Sequence, residues 1–258
     1  MNFLRLMIGV VGIATIACGG NSDPAGPTAP GTSPVTATGL TVTSGTDLLL
    51  VGASDTYTAT ATFSDGASRS VTTTWSSDNE SVVSVENSGR ATARGPGMAT
   101  LTARAEGRTA SRIVRGLPDF AGSWRIQARE TSCDVPGRWG AGFCNVSGLY
   151  TMTLQLNRAE GDRVTGTINN GIGWMGPVAA QVSIDGALTV TGRLTSTRPT
   201  VTFHSDLTQW QTRLSSVGMT GSFREILTWV GERDQGFASN EVIGATRSGR
   251  TKKRCCRG

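Results

Sequence analysis

The sequence contains one histidine, His204, in 258 residues. A site built from several imidazoles is excluded by that count. Charge is sparse as well, with 17% of residues Asp, Glu, Lys or Arg. The formal charge of +5 suggests a basic protein, but its distribution does not. Arg247, Arg250, Lys252, Lys253, Arg254 and Arg257 crowd the last twelve residues, with no acid among them. The 18 cations before them face 19 acids, so residues 1–246 carry one net negative charge. That excludes a broad electrostatic footprint for DNA or RNA, and no nucleic-acid partner is expected. Chemistry-bearing motifs are missing too. There is no Gly-x-Ser-x-Gly elbow, no His-Glu-x-x-His helix and no phosphate-binding P-loop. The acids Glu225, Glu232, Asp234 and Glu241 are scattered, and their spacing gives no support to a glycosidase pair. The expectation is a protein that is not an enzyme, with no catalytic residue, no cofactor and no metal site. Helix formers are few, whereas Thr, Ser, Gly and Val abound. This composition favours short strands and turns.

The N-terminus reads as an address. Arg5 precedes the apolar stretch Leu6 to Ala14, which is too short for the ~20 residues of a membrane-crossing helix. Thr15-Ile16-Ala17-Cys18 then resembles the bacterial lipobox, with Thr15 in place of the usual Leu. The resemblance implies a signal peptide over residues 1–17 and diacylation of Cys18, which would become the membrane anchor. Two acyl chains are what stable anchoring requires. Gly19 after the cysteine implies sorting to the outer membrane or cell surface. Residues 18–34 carry Pro24, Pro27, Pro30 and Pro34 among Gly, Ser and Thr, the composition of an extended tether.

From residue 35 to 115 the apolar pattern has a period of two. Tyr57, Ala59, Ala61 and Phe63 share one parity, and Thr56, Thr58, Thr60 and Thr62 take the other. Such alternation describes strands with one buried face. Val71, Thr73 and Trp75 repeat it, as do Ala99, Leu101 and Ala103. Ser64-Asp65-Gly66, Asn87-Ser88-Gly89 and Gly95-Pro96-Gly97 supply turns every eight to twelve residues, the spacing of a β-sandwich. Trp75-Ser76-Ser77-Asp78-Asn79, Gly89-Arg90-Ala91-Thr92-Ala93 and Gly97-Met98-Ala99-Thr100-Leu101-Thr102-Ala103 resemble the bacterial Ig-like domain, group 2. That family implies a small sandwich used on cell surfaces as stalk, spacer or adhesive module, with no fixed binding residues. Trp75 is expected in its core.

Residues 117–246 again alternate: Trp124, Ile126 and Ala128, then Tyr150, Met152, Leu154 and Leu156. Asp185-Gly186 is a hairpin signal. About eight strands are expected, closing as an up-and-down barrel or forming a second sandwich. The fold class is therefore all-β: an Ig-like β-sandwich followed by an antiparallel β-barrel-like domain. Gly122-Ser123-Trp124 resembles the Gly-x-Trp signature of calycins, the lipocalin and avidin group. In that family the Trp plugs one end of the barrel. Such a barrel either holds a small apolar molecule in its mouth or is filled by its own side chains. Residues 247–258 are expected to be a disordered basic tail.

Secretion permits disulfides, and Cys133 and Cys144 have ten residues between them in a loop rich in Gly, Pro and Trp. A bond between them is expected. Trp139 and Phe143 inside that loop either cover a barrel mouth or pack the loop onto the domain. Trp124, Trp139 and Phe143 are the candidate ligand contacts. Cys255 and Cys256 are adjacent, a poor geometry for pairing with each other. The functional expectation is a non-catalytic cell-envelope lipoprotein for surface display, adhesion or binding. Its partners would be the membrane, through Cys18, and a cell-surface carbohydrate, a protein or a small apolar ligand. The alternative is a lipocalin-like binder of a small apolar ligand on an Ig-like spacer, and a secreted polysaccharide hydrolase is less favoured.

Overall fold

A computed structural model describes residues 33–43, 46–139, 144–146, 148–215, 218–231 and 233–248. The expected signal peptide, Cys18, most of the tether, Phe143, Glu232, Cys255 and Cys256 lie outside the described residues.

The Thr/Ser/Val alternation of the first half folds into ten short strands: β1 (Ala37–Thr43), β2 (Leu48–Leu50), β3 (Ser54–Thr56), β4 (Thr58–Phe63), β5 (Ser68–Ser70), β6 (Thr74–Ser77), β7 (Val83–Val85), β8 (Arg90–Ala93), β9 (Gly97–Ala105) and β10 (Arg108–Leu117). They form sheets in the orders β1-β4-β5, β2-β10-β9-β6 and β3-β8-β7. The apolar parity faces one core, where Tyr57, Ala59, Trp75, Val83, Ala91, Leu101 and Val114 are buried. Trp75 is thus a core residue. Gly89 is required at its turn. It adopts φ 81°, and a Cβ there would stand 2.2 Å from the Tyr57 carbonyl oxygen. The parallel pairing of β2 with β10 joins Leu48 to Arg115, a long-range contact that no local pattern announces.

The second half supplies eight longer strands: β11 (Gly122–Asp134), β12 (Leu149–Arg158), β13 (Arg163–Asn169), β14 (Met175–Val182), β15 (Ala187–Arg198), β16 (Val201–Ser215), β17 (Gly218–Trp229) and β18 (Gln235–Ser248). Consecutive strands pair antiparallel, and β11 closes on β18 to complete a barrel. Closure leaves no open sheet edge. The sandwich alternative for this half is set aside. Lumen-facing glycines let the strands coil tightly: at Gly221 a Cβ would lie 2.1 Å from the Gln211 carbonyl oxygen. A bulge at Gln209, φ 51°, shifts the inward parity of β16 from Leu207 to Trp210. The boundary expected at residue 247 moves, because Arg247 and Ser248 belong to β18. Only residues 249–258 of the expected basic tail lie beyond the last strand, outside the described residues.

The two ends of the barrel differ. At the end where the chain arrives from β10, Trp124 is buried and its Nε1 donates to the Phe120 carbonyl at 2.7 Å. The Arg247 guanidinium covers the indole at 5.6 Å and bonds to Asp119 at 3.1 Å and to the Ala121 carbonyl. Phe120, Leu117 and Leu48 extend the same apolar cluster, and Gly186 sits tight against Pro96 and Pro118. The Ig-like strands therefore abut the closed end. The far end carries the longer loops.

Candidate functional site

Inward-facing positions change character along the barrel. Near the closed end Trp124, Ile126, Leu154, Leu156, Ile168, Leu188 and Trp210 fill the lumen, with Trp210 stacked on Phe223 at 4.8 Å. The same parity then continues into polar residues. On β11 the series Trp124, Ile126, Ala128 ends in Glu130; on β17 Met219 and Phe223 lead to Glu225; on β18 Val242 gives way to Asn240. These side chains meet around a cavity of about 290 Å³ near the far end. Tyr150, Asn170, Ser205 and Asn145 add polar groups, while Trp174, Leu194, Leu227 and Ile172 supply apolar wall. Its volume lies at the small end of ligand pockets, which span roughly 300–1,000 Å³. A wider concavity of about 760 Å³, open to solvent, lies on the outer wall over β17 and β18, among residues such as Thr131, Ser222, Ser239 and Glu241. It holds neither Glu130 nor Glu225.

The electrostatics of the lumen are acidic. Burial pushes Glu225 up to about 7, and the charge on Glu130 adds to that push. Burial also raises Glu130, against the backbone N–H of Asn145, which donates to its carboxylate at 2.9 Å and lowers it. Tyr150 is pushed above the ordinary phenol range by burial and by the two glutamates. Its hydroxyl donates to Asn240 Oδ1 at 2.8 Å. Asn240 Nδ2 and Ser205 Oγ, on cavity-lining residues 3% exposed, are buried without a partner among the described residues. A buried donor or hydroxyl left unpaired costs about 1–3 kcal/mol, so the lumen carries a standing demand for polar contacts. Glu225 carries a further cost. Its folded-state value lies above the unfolded value near 4.5, so the folded chain holds the proton longer. Stability falls between pH 4.5 and 7, by up to about 3 kcal/mol, and stays at the lower level above pH 7.

A collar of aromatics lies beside the cavity. Phe203 and Trp229 are 5.1 Å apart, Trp174 is 6.2 Å from Phe203, and Trp139 meets Phe203 edge-on at 6.3 Å. Trp139 sits in the single turn Gly137–Trp139, held by the Cys133–Cys144 bond, whose Cα atoms are 5.7 Å apart. Loop and collar form their own apolar cluster with Leu227, Ala238 and Val135. Among the described residues, Glu130, Cys133 and Cys144 are close enough to share a metal ion, but both sulfurs are committed to the disulfide.

The structure sorts the expected site residues. The disulfide forms. Trp124 lies at the closed end, away from the cavity. The space behind it is packed, and the cavity lies at the opposite end, lined by carboxyl and amide groups as well as apolar side chains. Trp139 takes the packing role and braces the loop rather than lining the cavity. Phe143 lies outside the described residues. The acids taken as scattered separate cleanly. Asp234 pairs with Arg138, and Glu241 pairs with Arg129 at 2.7 Å on the outside, while Glu225 turns inward to meet Glu130. His204 is half-buried on the outer wall, with Nδ1 3.1 Å from Thr195 Oγ1. The sequence reading missed Glu130, Tyr150, Ser205 and Asn240 as a group. The signal available was polar side chains standing on an otherwise apolar inward parity.

Residues 34–110 match the family model of the bacterial Ig-like domain, group 2. The match covers the first sandwich as far as the start of β10 and stops before the barrel. No curated protein matches the chain.

Proposed function

We propose that this chain is a non-catalytic, lipid-anchored protein of the cell envelope, whose Ig-like module carries a lipocalin-like barrel that binds a small molecule in its lumen. The observation that carries the reading is the cavity of about 290 Å³ in the barrel, edged by an aromatic collar and lined in part by buried polar atoms that lack partners. A barrel filled by its own side chains would place apolar groups at Glu130, Ser205, Glu225 and Asn240. The lining favours a polar ligand over the apolar one expected from the calycin resemblance. Ig-like domains of this group serve as spacers on surface proteins, which fits a module placed between the tether and the closed end of the barrel.

The ligand reading is tested by filling the lumen. Leu194→Trp and Leu227→Trp should retain the circular dichroism of the wild type while abolishing small-molecule hits in a native mass-spectrometry screen of polar metabolites. Hits that survive both substitutions would place binding elsewhere, and a screen with no hits on the wild type would overturn the reading. The anchor is tested separately. Metabolic palmitate labelling should mark the wild type and not Cys18→Ser; equal labelling would refute acylation at Cys18.

A further inference from the structure

The barrel cavity joins two carboxylates to two orphaned polar atoms without a compensating cation. Glu225 on β17 and Glu130 on β11 line the cavity from either side of β18, and Tyr150 on β12 joins them. The strands flanking it, β16 and β18, turn Ser205, Leu207, Ala238 and Asn240 inward, none of them charged. The β13–β14 connection contributes Asn170 and Trp174, and β15 contributes Leu194. No Arg or Lys lines the cavity among the described residues. Acids in a protein interior normally find a basic partner or give up their charge. Nearby acids do find partners: Asp206 is gripped by Arg193 through two bonds of 2.6 and 2.7 Å, and Glu241 by Arg129. The lumen pair has no cation along the cavity lining among the described residues.

We propose that the lumen binds a small organic cation, an amine whose ammonium group sits between Glu225 and Glu130 and whose neutral hydroxyl or carbonyl accepts from Asn240 Nδ2. This rests on the lumen-binding reading and gives it a chemical class. Each component answers an unmet group. The ammonium supplies donors to the two carboxylates and to Ser205 Oγ. A neighbouring acceptor satisfies the Asn240 amide, whose oxygen is already taken by Tyr150. The Trp174 ring and the Leu227 side chain accommodate an apolar or aromatic body. An anionic ligand would meet two carboxyl groups and no cation. A wholly apolar one would answer none of these polar groups.

The proposal predicts pH-dependent binding with a defined sign. The ammonium selects ionised Glu225, so binding expels a proton and tightens as pH rises. With Glu225 at about 7, the ionised fraction grows roughly tenfold between pH 6 and pH 8. Affinity for an amine that stays protonated over this range should therefore rise several-fold.

Isothermal titration calorimetry on the protein with four probes tests this. They are 2-amino-1-phenylethanol, its neutral counterpart 1-phenyl-1,2-ethanediol, the anion mandelate, and ethanolamine as a smaller amine. At pH 8 at least one amine should bind about tenfold or more tightly than the diol, and mandelate should bind least. Glu225→Gln should weaken the amine about tenfold, abolish the pH dependence, leave the diol unchanged and melt no lower than the wild type. Ser205→Ala should weaken the amine less. If the diol or mandelate binds as tightly as the amines, the cation is refuted while lumen binding stands. If neither amine binds although the metabolite screen yields lumen hits, the cation is likewise refuted. If the amine binds equally well to Leu194→Trp and Leu227→Trp, the lumen is not its site.

Discussion

Trp124→Ala is expected to cost about 3–5 kcal/mol of stability, the range for deleting a fully packed aromatic side chain. Trp124 is 3% exposed and lies in the largest apolar cluster of the described residues, with Phe120, Ile126 and Leu156. Its removal opens a void that rigid strands cannot collapse to fill, because β11 is hydrogen-bonded to β12 on one side and β18 on the other. Polar losses add to the void. The Phe120 carbonyl loses its indole donor, and Arg247 loses the ring beneath its guanidinium. The melting temperature should fall by about 10–20 °C for a domain of this size. Arg247→Ala should cost much less, about 1 kcal/mol, since Trp124 would still fill the barrel end. A shift of less than about 3 °C in Trp124→Ala would show that the closed end is not sealed by this residue. Because the lumen site lies at the other end, any folded fraction of Trp124→Ala should bind ligand as the wild type does.

The disulfide should carry the second large effect. Replacing Cys133 and Cys144 by Ser, or reducing the bond with dithiothreitol, is expected to cost about 3 kcal/mol, the loop-closure contribution for a separation of 11 residues. The structural consequence reaches the cavity. The loop carries Trp139 onto the collar and brings the Asn145 N–H to the Glu130 carboxylate at 2.9 Å. Without that N–H, Glu130 loses the group that opposes its rise, so its proton affinity increases further. The double Ser variant should therefore melt about 10 °C lower, show red-shifted tryptophan emission and bind ligand more weakly. An unchanged melting temperature after complete reduction would show that the loop is held by its apolar contacts alone.

Both effects were visible in the sequence to different degrees. Gly122-Ser123-Trp124 opens the barrel's first strand, and the plugging position implied by its resemblance is the position it occupies. The pairing of Cys133 with Cys144 followed from their shared loop and the expectation of secretion. Arg247, by contrast, looked like the first residue of a solvated basic tail. Its place against Trp124 depends on β18 returning beside β11, a pairing between residues more than a hundred positions apart.

The acidic site shows the same division. Alternation by itself determined that Ile126, Ala128, Met152 and Leu154 face inward, because side chains on a strand point to opposite faces in turn. Turn residues determined where the chain reverses, and period-two patterning throughout determined an all-β protein with an Ig-like first half. Each of those rules is local. The tertiary structure decided which polar residues became internal. Glu130 and Glu225 lie on strands separated by most of the barrel's length in sequence, and neither spacing nor motif links them. They meet because the sheet closes, with β18 joining β11 and β17 beside it. Closure turns one face of every strand toward a shared interior, and there a carboxylate that looked like one of several scattered acids loses its water, gains a like-charged neighbour and holds its proton to about neutral pH.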